Sequence, residues 1–187
     1  MARARRGYTL VEILVTLTIG GVLTALAVPG YHAMVNQNHG SATINGLFGA
    51  VQLARQTATF FRATTTICPL HGAACGTDWS NGYLVFVDWN RDGSLDADDR
   101  VLAQVAAVPA GATLTWRSFR RRPFLQFTSR GLTHAENGSF VYCSGGGATS
   151  RTAAKIVINT AGRARHVVDD NHDGRWDDHS GPTGCPP

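Results

Sequence analysis

From Tyr8 to Val28 the chain reads YTLVEILVTLTIGGVLTALAV, 21 residues with a single charge, Glu12. As a helix this run spans roughly 30 Å, the thickness of a bilayer's hydrocarbon core. Past Pro29, the apolar positions Ile44, Leu47, Phe48, Val51, Ala54, Ala58 and Phe61 recur at helical spacing, which predicts an amphipathic continuation with its stripe laid on a domain. Pro29-Gly30 and the glycines at 40, 46 and 49 weaken helix propensity and predict a kink or local melting there. Beyond Arg62 the pattern changes to short β-rich runs: Thr64 to Cys68, Tyr83 to Asp88, Val101 to Ala106, Thr113 to Ser118, Phe124 to Ser129, Ser139 to Cys143, Lys155 to Asn159 and Arg165 to Val168. Turn signals separate them. Eight runs within the 105 residues from Thr64 to Val168 predict an α+β chain, an antiparallel sandwich or two packed sheets with the helix covering one face.

Arg3, Arg5 and Arg6 precede the apolar run, so the positive-inside rule places the start in the cytoplasm and everything after Pro29 outside it. A cleaved secretory signal is the alternative, with Ala25-Leu26-Ala27 as its small-residue site and a secreted module as its product. Against it stand the length of the run and Glu12, whose insertion costs about 3 kcal/mol on translocon scales.

Arg5-Arg6-Gly7 followed by Tyr8-Thr9-Leu10-Val11-Glu12 resembles the cleavage and assembly signal of type IV pilins and type II secretion pseudopilins. The resemblance implies a prepilin peptidase cut after Gly7, methylation of the new amino group of Tyr8, and a mature chain in which Glu12 is residue 5 and Pro29 residue 22. Tyr8 stands where the family more often has phenylalanine. The implied organisation is a leader peptide over 1–7, a transmembrane helix over 8–28, its amphipathic continuation over 29–62 and a periplasmic β-rich domain over 63–187. A carboxylate held in lipid needs a cation, and the N-terminal amine of a neighbouring subunit in a filament can supply it. Thr66-Ile67-Cys68-Pro69, the stretch Trp79 to Asp88, the stretch Phe127 to Leu132, and Gly162-Arg163-Ala164-Arg165 further resemble the GspH/FimT subgroup. That likeness implies the type IV pilin-like fold, an inner-membrane anchor and other pilins or pseudopilins as partners.

Charge sharpens the picture. The segment after Pro29 carries 14 basic and 12 acidic residues, but ten of the acids fall within Asp88 to Asp99 and Asp169 to Asp178, leaving the remaining surface locally basic. Lys155 is the only lysine; arginine is the better residue for forked contacts to phosphate. The four cysteines, Cys68, Cys75, Cys143 and Cys185, follow a membrane-targeting segment and predict two disulfides. Of the three pairings, proximity in sequence favours Cys68 with Cys75 and Cys143 with Cys185; zinc is the weaker alternative, since no CxxC pair occurs.

Asp88, Asn90, Asp92, Gly93 and Asp96 form D-x-N-x-D-G-x-x-D, and Asp169, Asn171, Asp173, Gly174 and Asp177 repeat it. Oxygen ligands alternating around a glycine turn suit calcium, and Asp99 stands at loop position 12 of the first copy. The same residues also make a polar turn in which Asp and Asn accept from their own backbone. Lacking a bidentate glutamate and flanking helices, the turn is the simpler reading.

Gly162-Arg163-Ala164-Arg165 lies between two expected strands, so Arg163 and Arg165 can point the same way toward a phosphate backbone, with Lys155, Arg151 and His166 nearby in sequence. It is similar to the G-R-x-R element with which FimT-type members bind DNA in natural transformation, which implies double-stranded DNA as a partner. The plain alternative is a solvated edge whose arginines discourage aggregation. A second cluster, Arg117, Arg120, Arg121 and Arg122, adjoins Trp116, Phe119 and Phe124 as in single-strand binders, or forms a charged hairpin loop over core aromatics. The seven histidines are scattered and no G-x-S-x-G or HExxH motif is present, so no enzyme is expected. Two uses compete for a filament subunit, DNA capture by a type IV pilus and a tip subunit of type II secretion; cleavage at Ala27 would leave instead a secreted calcium-binding module.

Overall fold

Thr9 starts the first element. Its hydroxyl accepts from the Glu12 backbone N–H at 3.3 Å and its carbonyl from the Ile13 N–H at 3.2 Å, so Thr-x-x-Glu acts as a helix N-cap. The computed structural model describes residues 9–144 and 153–167. The helix α1 runs Leu10–Phe61, 52 residues, and its backbone stays helical through Pro29 and Gly30, where the sequence predicts weakening.

The chain divides into two compact units, Met1–Gln37 and Asn38–Pro187. In the first, Leu10–Val28 is long and apolar enough to cross a membrane, and none of it is buried against protein. The hydroxyls of Thr16, Thr18 and Thr24 donate to backbone carbonyls three or four residues earlier. Such internal pairing is what a hydroxyl needs where no water can reach it.

In the second unit, α1 ends at Phe61 and, among the described residues, nine strands follow: β1 Thr64–His71, β2 Ala74–Cys75, β3 Tyr83–Asp88, β4 Arg100–Val105, β5 Thr113–Ser118, β6 Leu125–Phe127, β7 Gly138–Cys143, β8 Ala153–Ile158 and β9 Ala164–Val167. All pairings are antiparallel. One sheet has the order β2-β1-β3-β4, with β6 also on β1; the other has the order β5-β7-β8-β9. Ile44, Leu47, Val51, Ala54 and Ala58 of α1 share one core with Ile67, Val85, Leu125 and Phe127 of the first sheet and Leu114, Phe140, Ile156 and Ile158 of the second. A smaller cluster of Cys68, Leu84 and Phe86, with Leu95 and Phe124 against it, covers the far face of the first sheet.

Each expected run became a strand. The short β2 was not foreseen; it exists because Gly72, at φ +62, turns the chain back so that Leu70 pairs with Cys75 and His71 with Ala74. Phe61 departs from the expected buried stripe: it sits at the end of α1 with the Arg100 guanidinium 5.5 Å from its ring centre. Cys68 and Cys75 are bonded as proximity suggested. Cys143 is also disulfide-bonded, and its expected partner Cys185 lies outside the described residues.

Candidate nucleic-acid interface

The β8–β9 turn is set by Asn159, whose carbonyl accepts from Gly162 N at 2.9 Å and whose Oδ1 accepts from Arg163 N at 3.0 Å, while its own N–H donates to the Arg163 carbonyl at 3.2 Å. Gly162 has φ +72, and a Cβ there would run into the carbonyl oxygen of Gly131, so both conformation and space require glycine. The turn therefore rests back to back on the Thr128–Gly131 turn, closed by Gly131 N donating to Thr128 O at 2.8 Å. Thr133 N ties the pair at 3.2 Å to Thr160 O.

Arg163 and Arg165 are both exposed, with Ala164 half-buried between them. Arg163 belongs to the turn and Arg165 to β9. Strand register aligns Arg117, Ser139, Val157 and Arg165 in one cross-strand row, which puts an arginine on each edge strand of one sheet face, roughly 14 Å apart. His166 belongs to the opposite face, where its ring lies 4.7 Å from Phe48 of α1.

Lys155 corrects the expectation. Expected among the DNA contacts, it is 4% exposed, because it lies in an inner strand paired with Val141 on one side and Val167 on the other. Gly162 is buried and shapes the turn without offering a side chain. Arg151, Gly7, Tyr8, Asp169, Asn171, Asp173 and Asp177 lie outside the described residues, and of Pro29 only the helical backbone is described. Reading the sequence missed Arg55 and Arg130. The first sends Nε to the Gly131 carbonyl at 3.0 Å, and the second is exposed immediately before that glycine. The signal was the Thr128-Ser129-Arg130-Gly131 turn, within a stretch noticed only for its family likeness.

In the second basic cluster two of the aromatics and the Arg122 guanidinium are packed within the protein. Trp116 packs on Phe140 at 4.4 Å between ring centres, and Arg122 lies 5.8 Å over the Phe124 ring. The buried Glu136 carboxylate accepts from Arg120 N at 3.2 Å and faces Arg122 Nε at 4.0 Å. Only Phe119, 80% exposed, is free to stack on a base, so the charged-loop reading describes most of this cluster.

In the first aspartate-rich loop the oxygens are already in use. Asp88 Oδ2 accepts from Thr66 Oγ1 at 2.7 Å, Gln126 Nε2 at 2.9 Å and Gly93 N at 3.1 Å, and Oδ1 accepts from Arg91 N at 2.6 Å. Asn90 Nδ2 donates to Asp92 at 3.1 Å and to Asp96 at 2.7 Å, while Asp99 accepts from Trp89 N and Asp96 N. Among the described residues no group of three or more His, Cys, Asp or Glu is placed to hold a metal ion. The arrangement is that of an internally bonded turn.

Residues 43–162 match the family described as Type II transport protein GspH, and residues 2–28 match the prokaryotic N-terminal methylation motif. The chain belongs to the GspH family. The curated pilin-like protein PilA1 of Thermus thermophilus is 30% identical over 169 residues, spanning 86% of this chain and 97% of that protein. The crystal structure of the type IV minor pilin FimU of Pseudomonas aeruginosa matches 69% of this chain and 88% of its own, with a TM-score of 0.54 and 25% identity. The minor pseudopilin EpsH of the Vibrio cholerae type 2 secretion system matches 71% of this chain and 98% of its own at the same TM-score of 0.54; at 9% identity it bears on the fold alone. This GspH-family chain is thus a minor pilin or pseudopilin of a type IV pilus or type II secretion system, in a family of structural subunits.

Proposed function

We propose that this GspH-family subunit is a FimT-type minor pilin that binds duplex DNA without sequence preference and serves DNA uptake. Its signal would be cut after Gly7, leaving Glu12 in the membrane to meet the amine of a neighbouring subunit, with residues 63–187 in the periplasm. The observation that carries the DNA reading is the β8–β9 turn, where Asn159 and Gly162 fix the backbone and Arg163 and Arg165 stand exposed beside it. Backbone order reduces what phosphate binding must spend on fixing the loop, and guanidinium forks match phosphate oxygens.

Binding is expected to fall steeply with salt, since each phosphate contact releases counterions. Arg163→Ala with Arg165→Ala should weaken duplex affinity by more than about tenfold at 0.1 M salt. Equal gel shifts for parent and double variant would remove the reading. The competing use is a tip subunit of type II secretion, supported by the description of the matched family. A deletion strain separates the two: loss of transformation with intact secretion supports DNA uptake, and the reverse supports secretion.

A further inference from the structure

We propose that Arg55, Arg130 and Arg163, from three separate elements, form a single binding site for the phosphodiester backbone of DNA. This rests on the DNA reading above and extends it to two residues outside the G-R-x-R element. Arg55 rises from the last turns of α1, half-buried, with Nε spent on the Gly131 carbonyl at 3.0 Å. That bond leaves the two terminal nitrogens of its guanidinium to a ligand, and the Arg55 side chain makes no other hydrogen bond among the described residues. Arg130 is exposed and directly precedes Gly131; Arg163 is exposed and directly follows Gly162. The Gly131 carbonyl presses against Gly162, so closely that no Cβ fits between them. With about 3.8 Å between successive Cα atoms, the Cα atoms of Arg130 and Arg163 lie within roughly 14 Å of each other. Two long side chains starting that close can reach one phosphate or two adjacent ones.

The electrostatics agree. None of Arg55, Arg130 and Arg163 pairs with a carboxylate among the described residues, whereas Arg122 of the other basic cluster faces Glu136. Three arginines converging on one corner without a carboxylate beside them make that corner favourable to an anion. In the first aspartate-rich loop Asp88, Asp92, Asp96 and Asp99 are engaged in that loop's own hydrogen bonds. Glycine is required at 162, and Gly131 also has a positive φ of 72°, so the two turns hold their shape before a ligand arrives.

The test uses the full chain in detergent and a 30-base-pair duplex of random sequence, followed by fluorescence anisotropy across a salt series. Arg130→Ala should weaken binding about eightfold at 0.1 M salt and lower the salt slope by about 0.9, the loss of one phosphate contact. Arg120→Ala removes the same charge from the β5–β6 loop and should stay within about twofold of the parent. Arg55→Lys keeps the charge but loses the fork held by Gly131, and should still weaken binding by about threefold. If Arg130→Ala matches the parent, or if Arg120→Ala is equally harmful, the local site is overturned in favour of the G-R-x-R element alone or of diffuse charge. If the parent itself does not bind the duplex, the DNA reading fails first and this site fails with it.

Discussion

Asp88 holds a fully buried carboxylate at the end of β3, and removing it should lower the stability of the second unit by several kcal/mol. Four donors converge on it: the Thr66 hydroxyl, the Gln126 amide and the backbone N–H groups of Arg91 and Gly93. Thr66 and Gln126 are themselves buried, so truncating their acceptor strands them away from water. Hydrogen bonds to a charged group are worth about 1.5–3 kcal/mol each, and such contributions overlap within one network. Asp88→Ala should therefore cost about 4 kcal/mol and Asp88→Asn about 2 kcal/mol, since asparagine keeps one oxygen but turns an NH2 toward the donors. Urea unfolding of the full chain in detergent, read by the fluorescence of the core residues Trp79 and Trp116, should show a midpoint about 2 M lower for Asp88→Ala at an ordinary urea slope. A shift under about 0.5 M would refute the accounting. Calcium sharpens the test: if the loop is an internally bonded turn, millimolar calcium leaves the first loop's contribution unchanged. A calcium-induced rise in the midpoint that Asp92→Ala with Asp96→Ala abolishes would show instead that these carboxylates serve a cation.

Glu12→Ala should leave membrane insertion intact, or ease it by about 3 kcal/mol, while reducing incorporation into a filament; undiminished co-purification with filament subunits would count against the assembly role. Tyr83 has a buried hydroxyl with no hydrogen-bond partner, and burial pushes its pKa up from 10.0 to about 12. Below pH 10 both folded and unfolded chains keep this group neutral. Between pH 10 and 12 only the unfolded chain ionises it, so stability should fall across that window by about 3 kcal/mol. Tyr83→Phe should remove that component and, with no orphan hydroxyl left to desolvate, gain about 1 kcal/mol at neutral pH. Urea midpoints for both proteins at pH 9 and pH 11 decide it, a pH dependence identical in the two being the adverse result.

Much of the fold was legible along the chain because its signals are local. A continuous apolar run in β3 and an alternating one in β5, each bounded by turn residues, located both strands to the residue. The expected Phe124–Ser129 run shrank to Leu125–Phe127 because Thr128 N turns to bond Leu132 O at 2.8 Å, a choice made by the turn rather than by β propensity. Lys155 was misjudged for a related reason. Charge type argues for the surface, but its position in an inner strand depends on which strands pair with it, and no local window records that.

The sequence alone determined that this chain has an apolar anchor with one carboxylate, a helical stripe, a set of short strands and a pilin-type N-terminal signal. Each of these follows from the spacing and chemistry of residues close together along the chain. Only the tertiary structure decided which charges share a surface. Arg55 and Arg130 reach the corner of Arg163 because Gly162, 31 positions beyond Gly131, lets the two turns touch where any side chain at 162 would hold them off. Contacts of that kind depend on the closure of both sheets around α1, and so become visible only once the chain has folded.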